Sequence, residues 1–291
     1  MENEQLIAAS GRTPAQLKQH FEVETRLADR LRVATKEERR TLYTTTYEEL
    51  YRLVPDHPQL TRKRVKQQME EVVAPQLRLL ASHLEADAVF LEVGAGDCAL
   101  ARKVAAMVRH VYAVDVSPTI TGGGDAPRNL EVVISDGSNI PLPDASVDIA
   151  YSHQLIEHMH PDDALAHLRE VSRVLKPGGR YICVTPSRWT GPHDISKFFR
   201  SIARGLHLRE YSATDLLGIF QWLGWTRVTA EMCVKGVYFE VPASVAVIAE
   251  MGFAALPEKV RRRVAHVSVL NGMLGVVMIG RKPTHDEAEG L

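Results

Sequence analysis

Apolar and polar positions divide the chain into two regions. From Ala88 onward, short apolar runs alternate with helical stretches, and the runs are AVFLEVG, VYAVDVS, LEVVISD, VDIAYSH and RYICVTP. Strands that are apolar along their whole length are buried on both faces, and their alternation with helices indicates a parallel α/β sheet. Two later runs, WTRVTAEMCVKGVYFEV and GMLGVVMIGR, are close enough to pair as an antiparallel edge.

The first 60 residues are polar and rich in helix formers. Apolar residues recur there at roughly helical spacing, first at Leu17, Phe21, Leu27 and Leu31 and later at Leu42, Tyr43, Tyr47, Leu50 and Leu53. We predict a helical cap over residues 1–60, which in one interpretation closes over a substrate pocket. A third helix over residues 62–84 is expected to kink or split at Pro75. The main domain then covers residues 61–282, with a helical insert at about 241–266 and a polar, frayed tail over 283–291.

Charge and cysteine content narrow the class of protein. The 35 basic and 36 acidic residues give a net charge of -1, so no nucleic-acid partner is expected. The three cysteines are far apart in apolar surroundings, which favours reduced thiols and no metal site. The start, MENEQLIAASGRT, lacks the features of a signal peptide, and no apolar run reaches the length of about 18 residues that spans a membrane. We therefore expect a cytoplasmic protein without a transmembrane segment.

A glycine-rich turn follows the first strand of the main domain. The segment from Gly94 to Ala99, GAGDCA, fits the G-x-G-x-x-G/A fingerprint of a nucleotide-binding turn. The next strand ends in Asp115, nineteen residues after Gly96, where a carboxylate suits the two hydroxyls of a ribose. A nicotinamide-dependent enzyme and an S-adenosylmethionine-dependent enzyme share all of these features.

The negative charges around the turn distinguish between a nicotinamide dinucleotide and S-adenosylmethionine as its ligand. Glu92 lies two residues before Gly94, and Asp97 is placed at the expected N-cap of the following helix. A pyrophosphate binds best at the positive end of a helix with no carboxylate beside it, whereas an ammonium and a sulfonium are attracted by carboxylates. The turn therefore favours S-adenosylmethionine. The third strand ends in Asp136 and Gly137, where the carboxylate suits the exocyclic amine of adenine and the glycine leaves room for the ring.

Five short motifs in order carry a family resemblance: E-V-G-A-G at 92–96, V-D-V at 114–116, S-D-G at 135–137, L-P-D-x-S-V-D at 142–148 and L-K-P-G-G at 175–179. Together they resemble class I S-adenosylmethionine-dependent methyltransferases, most closely the small-molecule group with a "methyltransferase type 11" domain. The resemblance covers residues 85–187 strongly and the C-terminal strands weakly. Cys98 stands where many relatives carry a third glycine.

The resemblance implies a Rossmann-like sheet of seven strands, helices on both faces and an antiparallel last strand. It implies S-adenosylmethionine as the cofactor, with Glu92 near the methionine ammonium, Asp115 on the ribose and Asp136 near adenine. It also places the loop after the fourth strand beside the methionine part of the cofactor. The predicted cofactor-binding residues are Glu92, Gly94, Ala95, Gly96, Asp97, Asp115, Val116, Asp136, Gly137, His153 and Gln154.

Candidate catalytic residues lie in two histidine-bearing segments after the fourth and fifth strands. His193 beside Asp194 forms an oriented base if the carboxylate fixes the imidazole tautomer, although Asp194 is equally placed to cap a helix beginning at Ile195. His158 is a second candidate, with a structural role in its loop as the alternative. Arg188 and Trp189 are candidate substrate contacts for an anionic group and an apolar or sugar face.

The sequence thus predicts methyl transfer from S-adenosylmethionine to a small-molecule acceptor by in-line displacement. Oxygen is the first acceptor atom to consider because His193 and Asp194 suit deprotonation of a hydroxyl, and nitrogen or carbon follows closely. The alternatives are a nicotinamide-dependent oxidoreductase with the same turn and a non-catalytic binding module of the methyltransferase fold.

Overall fold

The computed structural model describes residues 2–62, 66–116, 126–234, 236–257, 260–261 and 275–289. Its strands are β1 Val89–Val93, β2 His110–Asp115, β3 Leu130–Ile134, β4 Val147–His153, β5 Leu175–Thr185, β6 Arg227–Val234, β7 Val237–Pro242 and β8 Val276–Arg281. Its helices are α1 Glu2–Ala9, α2 Pro14–Val33, α3 Lys36–Leu53, α4 Pro58–Arg62, α5 Lys66–Leu80, α6 Ala99–Val104, α7 Pro161–Val174, α8 Ala213–Trp222, α9 Ala243–Ala254 and α10 His285–Glu289. Short 3₁₀ helices occur at Ile156–His158 and Ile195–Phe198.

The strands form one sheet in the order β3-β2-β1-β4-β5-β8-β6-β7. The first five are mutually parallel, and β8 lies antiparallel between β5 and β6. The α/β class, the Rossmann-like arrangement and the antiparallel late strand are therefore confirmed. The described residues form eight strands rather than seven, because the run expected as one strand turns back on itself as the β6–β7 hairpin, from Thr229↔Pro242 to Val234↔Val237.

Side chains of β1 alternate between the two faces of the sheet and enter two separate cores. Phe90 packs with α5 and α6 in one core, whereas Leu91 and Val93 pack with α7 and α8 in the other. Burial of β1 on both faces explains why the strand is apolar at nearly every position. The two cores hold the carboxyl ends of β1, β2 and β4 side by side, with Val93 paired to both Val114 and Ser152.

The N-terminal segment forms the helices expected from its pattern. Thr13 and Thr35 are the N-caps of α2 and α3, and each forms a capping box. The threonine side chain accepts a hydrogen bond from the backbone N–H of the N3 residue, and the backbone N–H of the threonine donates to the N3 side chain. The apolar stripes of the two helices meet in a core of their own that also contains Leu206. This core joins the N-terminal helices to the segment that precedes α8.

The structure bears on three further local expectations. Helix α5 continues through Pro75 and ends at Leu80, and residues 63–65 at the predicted start of this helix lie outside the described residues. Of the predicted insert, α9 is formed, and most of residues 258–274 lie outside the description. The tail expected to fray contains α10, which Thr284 begins by exchanging hydrogen bonds with Glu287. In the described part of the chain, no helix is both long and apolar enough to cross a membrane.

Candidate functional site

A cavity of about 460 Å³ lies at the carboxyl ends of β1, β2 and β4, beneath α3. This is the edge where open parallel sheets bind their ligands. Eleven of the residues predicted from the sequence line the cavity: Glu92, Gly94, Ala95, Gly96, Asp97, Asp115, Val116, Gly137, His153, Gln154 and His158. The structure therefore brings the glycine turn, the ends of β2 and β4, and the loop after β4 around one space.

The glycine turn has the backbone conformation that its sequence requires. Gly94 and Gly96 have φ values of +75° and +53°, in the left-handed region that favours glycine. The amides of Gly94 and Ala95 donate to the carbonyl of Val114, and the amide of Gly96 donates to Oδ2 of Asp115 at 2.8 Å. A Cβ on Gly94 would meet Leu155 at 3.0 Å, whereas a Cβ on Gly96 would meet no protein atom within 4 Å. Gly96 thus leaves its space for a ligand.

The helix after the turn begins one residue later than predicted. Cys98, with a φ of +58°, takes the N-cap position of α6 that was expected for Asp97. Asp97 still accepts a hydrogen bond from the amide of Ala99 at 3.1 Å, so it satisfies one free donor of the helix. The left-handed conformation of Cys98 is one that favours glycine, the residue that the family resemblance leads us to expect at this position. Burial raises the pKa of the Cys98 thiol to about 11.

Glu92 is the most unusual group in the cavity wall. Its side chain is buried, and its Oε2 has no hydrogen-bond partner. Burial raises the pKa of Glu92 to about 8, with further contributions from the charges of Asp97 and Asp115. Among the described residues that line the cavity there is no lysine or arginine. The space at the glycine turn is therefore suited to a cation and hostile to a pyrophosphate.

The predicted adenine contact at Asp136 is not on the cavity wall. The Oδ1 of Asp136 accepts from the amides of Ser138 and Asn139, and its Oδ2 lies 3.6 Å from Nε of Arg40. Asp136 thus fixes the turn that carries Gly137, which does line the cavity with a φ of +83°. A short acidic side chain after a strand is typical of such turns.

Helix α3 contributes wall residues that the sequence pattern assigned only to helix packing. Tyr43, Thr44, Tyr47 and Tyr51 line the cavity, and Oγ1 of Thr44 donates to the carbonyl of Val116. The spacing of three tyrosines at i, i+4 and i+8 indicates one helix face, but it does not show which partner that face covers. The interpretation that the N-terminal helices cover a pocket agrees with this arrangement.

His158 is the candidate base that the structure places on the wall. Its Nδ1 contacts the carbonyl of Leu206 at 3.1 Å, so this nitrogen carries the proton and Nε2 carries the lone pair. Burial lowers the pKa of His158 to about 3, aided by the nearby His207, and burial alone lowers the pKa of His153 to about 4. Both imidazoles are therefore neutral at physiological pH.

The expected pairing of His193 with Asp194 is not formed. His193 Nε2 contacts Oγ1 of Thr190 at 2.9 Å and the carbonyl of Ser187 at 3.1 Å. The carboxylate of Asp194 instead accepts from the amides of Ser196 and Gly205, because Asp194 is the N-cap of the 3₁₀ helix at Ile195–Phe198. This is the alternative role considered from the sequence. Neither residue lines the cavity.

The predicted substrate contacts Arg188 and Trp189 also lie outside the cavity wall. The guanidinium of Arg188 is 5.4 Å from the centre of the Trp189 ring and 3.5 Å from the carboxylate of Asp215. Arg261 lies over the same ring at 5.8 Å. The structure thus brings Arg188 and Trp189 together as a stacked pair apart from the glycine turn.

Comparisons with known proteins agree with this arrangement. The family model of the methyltransferase domain matches residues 91–183. A Mycobacterium tuberculosis H37Rv protein described as a probable S-adenosylmethionine-dependent methyltransferase is 34% identical over 145 residues, 49% of this chain and 50% of the relative. The ubiquinone/menaquinone biosynthesis C-methyltransferase UbiE of Rubrivivax gelatinosus is 38% identical over 122 residues, 40% of this chain and 47% of the relative. The chain spans about half the length of these curated relatives.

Solved structures share the fold over most of the chain. A Haloferax volcanii methyltransferase in complex with the Trm112 methyltransferase activator covers 75% of this chain and 93% of its own, with a TM-score of 0.55 and 17% identity. Burkholderia thailandensis 1,6-didemethyltoxoflavin-N1-methyltransferase, with 1,6-didemethyltoxoflavin and S-adenosylhomocysteine bound, covers 86% of this chain and 92% of its own, with a TM-score of 0.52 and 17% identity.

Residues 91–183 therefore match the methyltransferase domain model, and the chain shares its fold with S-adenosylmethionine-dependent methyltransferases of known structure. The N-terminal helices and the β6–β7 hairpin with α9 lie outside that segment.

Proposed function

We propose that this chain transfers a methyl group from S-adenosylmethionine to a small-molecule acceptor. The observation that carries the proposal is the buried, unpartnered Oε2 of Glu92 in a cavity whose described wall has no lysine or arginine. An ammonium placed there satisfies this oxygen and lets the carboxyl group ionise at neutral pH. A sulfonium gains from the same acidic surroundings, and S-adenosylmethionine carries both cations.

Different residues of the cavity wall contact different parts of S-adenosylmethionine in the proposed complex. Glu92 holds the ammonium, and Gly96 lets the backbone approach the methionine portion without a Cβ in the way, while Gly94 makes the bend. Asp115 accepts from the ribose hydroxyls while it keeps its hydrogen bond from the Gly96 amide. Val116 and Gly137 border the space for the adenine ring. In the proposed complex Asp136 supports this end indirectly, by fixing the turn at Gly137.

The chain contributes alignment and exclusion of water to the reaction. Bound S-adenosylmethionine supplies an electrophilic methyl group, and transfer requires an acceptor atom in line with the bond that breaks. Tyr47 and Tyr51 cover the cavity from α3 and His158 lies on its wall, so these side chains shape the space for the acceptor. The names of the relatives support small molecules as acceptors, since one acts in ubiquinone/menaquinone biosynthesis and another on 1,6-didemethyltoxoflavin.

Oxygen is the acceptor atom that we propose first, with nitrogen and carbon as the other cases. A hydroxyl acceptor must lose a proton, and His158 presents a neutral Nε2 on the cavity wall that accepts a hydrogen bond from such a group. His193, the other candidate base, lies off the wall. Its part in the reaction would require the acceptor to extend beyond the cavity.

Calorimetric titration of the full chain tests the cofactor assignment. S-adenosylhomocysteine is expected to bind and NADH is not, because the pyrophosphate of NADH would face Glu92 and Asp97 without a described basic partner on the wall. Binding of NADH without any response to S-adenosylhomocysteine would establish the oxidoreductase alternative. The alternative of a non-catalytic module would be supported by a different result. In that case the chain would bind S-adenosylmethionine but would not convert it to S-adenosylhomocysteine when offered small molecules with an aromatic hydroxyl, an amine or a nucleophilic carbon.

A further inference from the structure

A cluster of histidine and carboxylate side chains lies beside the cavity and takes no part in cofactor binding as proposed above. A metal ion bound to Nε2 of His158 would replace the hydrogen bond proposed there with a hydroxyl acceptor. Glu157 and His158 belong to the 3₁₀ helix after β4, and His207 belongs to the segment before α8. Each residue offers one nitrogen or carboxylate oxygen, and these atoms all lie within 4.8 Å of one another. Residues 50 positions apart are thus joined in one polar group inside the protein.

The carboxyl group of Glu157 is incomplete without a further partner. The Glu157 side chain is fully buried, and its Oε2 accepts a hydrogen bond from Oγ1 of Thr185 at 2.9 Å. Its Oε1 is buried and has no hydrogen-bond partner, although it lies 4.0 Å from Nε2 of His158. A buried carboxylate oxygen without a donor is costly, and a positive group bound at Oε1 would offset this cost.

Hydrogen bonds at Nδ1 orient the imidazole rings of His158 and His207. Nδ1 of His158 donates to the carbonyl of Leu206 at 3.1 Å, and Nδ1 of His207 lies 2.9 Å from Oε1 of Glu210. These bonds leave Nε2 of each ring as the nitrogen that can bind a metal. Histidine ligands of metals characteristically donate their other nitrogen to a carbonyl or carboxylate in this way. The two rings meet edge to face with centroids 4.8 Å apart.

A second histidine–carboxylate cluster in the described chain, formed by His20, Glu24 and His57, lacks these properties. His20 contacts Glu24 through Nε2 at 2.6 Å and Arg12 through Nδ1 at 2.7 Å, so both of its ring nitrogens are already engaged. The guanidinium of Arg12 also places a positive charge next to the His20 ring. His20, Glu24 and Arg12 therefore form a closed polar network, whereas the cluster at Glu157 has an oxygen left to satisfy.

The geometry points to a divalent transition-metal site formed by Glu157 Oε1, His158 Nε2 and His207 Nε2. Two imidazoles and one carboxylate are the donor set of sites that bind zinc or iron(II) with open coordination positions. Glu157 Oε1 and His158 Nε2, which lie 4.0 Å apart, need to approach by less than about an ångström to share a metal with bonds of about 2.0–2.2 Å. His158 also lines the cavity, so the proposed metal site borders the proposed acceptor space.

Zinc binding to the full-length chain tests this site independently of methyl transfer. The purified protein is treated with a chelator, dialysed, and titrated with Zn²⁺ and then with Co²⁺ as a spectroscopic probe. We expect one equivalent of Zn²⁺ to bind, and Co²⁺ to give visible absorption bands that Zn²⁺ removes. The variants are Glu157→Gln, which keeps the shape and the contact with Thr185, and His207→Ala. The matched control is His110→Asn, which removes a partly exposed histidine elsewhere.

Both variants are expected to bind Zn²⁺ at least about tenfold more weakly than the wild type and the control, with loss of the Co²⁺ bands. Thermal melting should show Zn²⁺ stabilising the wild type and the control but not Glu157→Gln, which also reports that the variants fold. Absence of a one-equivalent site in the wild type, or equal affinity in all four proteins, overturns the inference. Titration with S-adenosylhomocysteine separates this result from the proposed function, since Glu92 and Asp115 lie outside the metal ligands.

Discussion

Arg39 of α3 and Asp163 of α7 form a buried, two-pronged ion pair, with Nε–Oδ2 and Nη2–Oδ1 separations of 2.5 and 2.9 Å. Tyr43 donates to the same carboxylate at 2.7 Å and accepts from the amide of His160. The pair joins the N-terminal helices to the α/β domain, and Tyr43, which bonds to the pair, also lines the cavity.

Asp163→Ala is expected to destabilise the protein strongly. Removal of the carboxylate leaves the buried guanidinium of Arg39 without its partner, which typically costs about 3–5 kcal/mol. Urea denaturation followed by circular dichroism measures this loss. The control is Asp162→Ala on the same helix, whose side chain is 78% exposed and whose loss should change stability little. Equal effects of the two variants would show that the ion pair does not hold the helices to the domain.

Glu92→Gln is expected to make the cofactor-free protein more stable at alkaline pH. Burial raises the pKa of Glu92 from 4.5 to about 8, so the folded chain keeps a proton across that interval that the unfolded chain releases. The contribution of this group to stability therefore decreases as pH rises from about 4.5 to about 8. Thermal melts across this range should show a smaller decline for the variant than for the wild type. Parallel pH profiles would contradict the burial of an uncompensated carboxyl group.

The same substitution is expected to weaken cofactor binding. A glutamine cannot pair with the ammonium of S-adenosylhomocysteine as a carboxylate does, and loss of a charged hydrogen bond costs about 1.5–3 kcal/mol. Calorimetric titration measures the change, with Glu131→Gln on the exposed face of β3 as the control. If Glu92→Gln were more stable than the wild type and bound S-adenosylhomocysteine with the same affinity, the ammonium would have to bind elsewhere in the cavity.

Asp115→Asn tests the proposed ribose contact. The amide oxygen of asparagine still accepts from Gly96, so the turn is retained while the negative charge is lost. We expect S-adenosylhomocysteine to bind more weakly by about 1–3 kcal/mol. Asp144→Asn, at an exposed carboxylate paired with Arg173, is the matched control. Unchanged affinity in Asp115→Asn would remove this residue from the cofactor site.

His193→Asn is expected to leave cofactor binding unchanged. His193 lies off the cavity wall and bonds to Thr190 and Ser187 within its own loop, so its loss should alter the affinity for S-adenosylhomocysteine by less than about twofold. The corresponding measurement on methyl transfer distinguishes a contact with a long acceptor from a purely structural role. A marked loss of cofactor affinity would mean that this loop reaches the cavity.

The sequence predicts the central sheet well because the five parallel strands are apolar on both faces. It predicts less well where one residue changes the chain direction. Gly236, with a φ of +83°, lies between β6 and β7, which the apolar pattern predicts as a single strand. Cys98 has a left-handed backbone conformation that is not expected for a cysteine. Trp225 is buried as its apolar neighbours suggest, whereas Trp222 is largely exposed beneath the guanidinium of Arg169.

The candidate site was predictable where function depends on local sequence. The glycine turn and the acidic residues beside it lie within a few positions of each other, and they meet at the cavity as expected. The tyrosines of α3 and the partnership of Glu157 with His207 depend on packing between distant segments, and spacing along the chain carries no signal of them. The predicted pairing of His193 with Asp194 was wrong for a different reason. The two residues are neighbours in the sequence, but their side chains form hydrogen bonds with different groups.

The position of β8 has a consequence for how the protein is made. This strand is the last in the chain but lies between β5 and β6, where it contributes hydrogen bonds to both. During synthesis those two strands emerge well before the strand that joins them, so each presents an open edge until Arg281 has left the ribosome. Completion of the sheet is therefore a late, long-range step, and a chain that stops before Val276 retains two unpaired edges in the middle of its core.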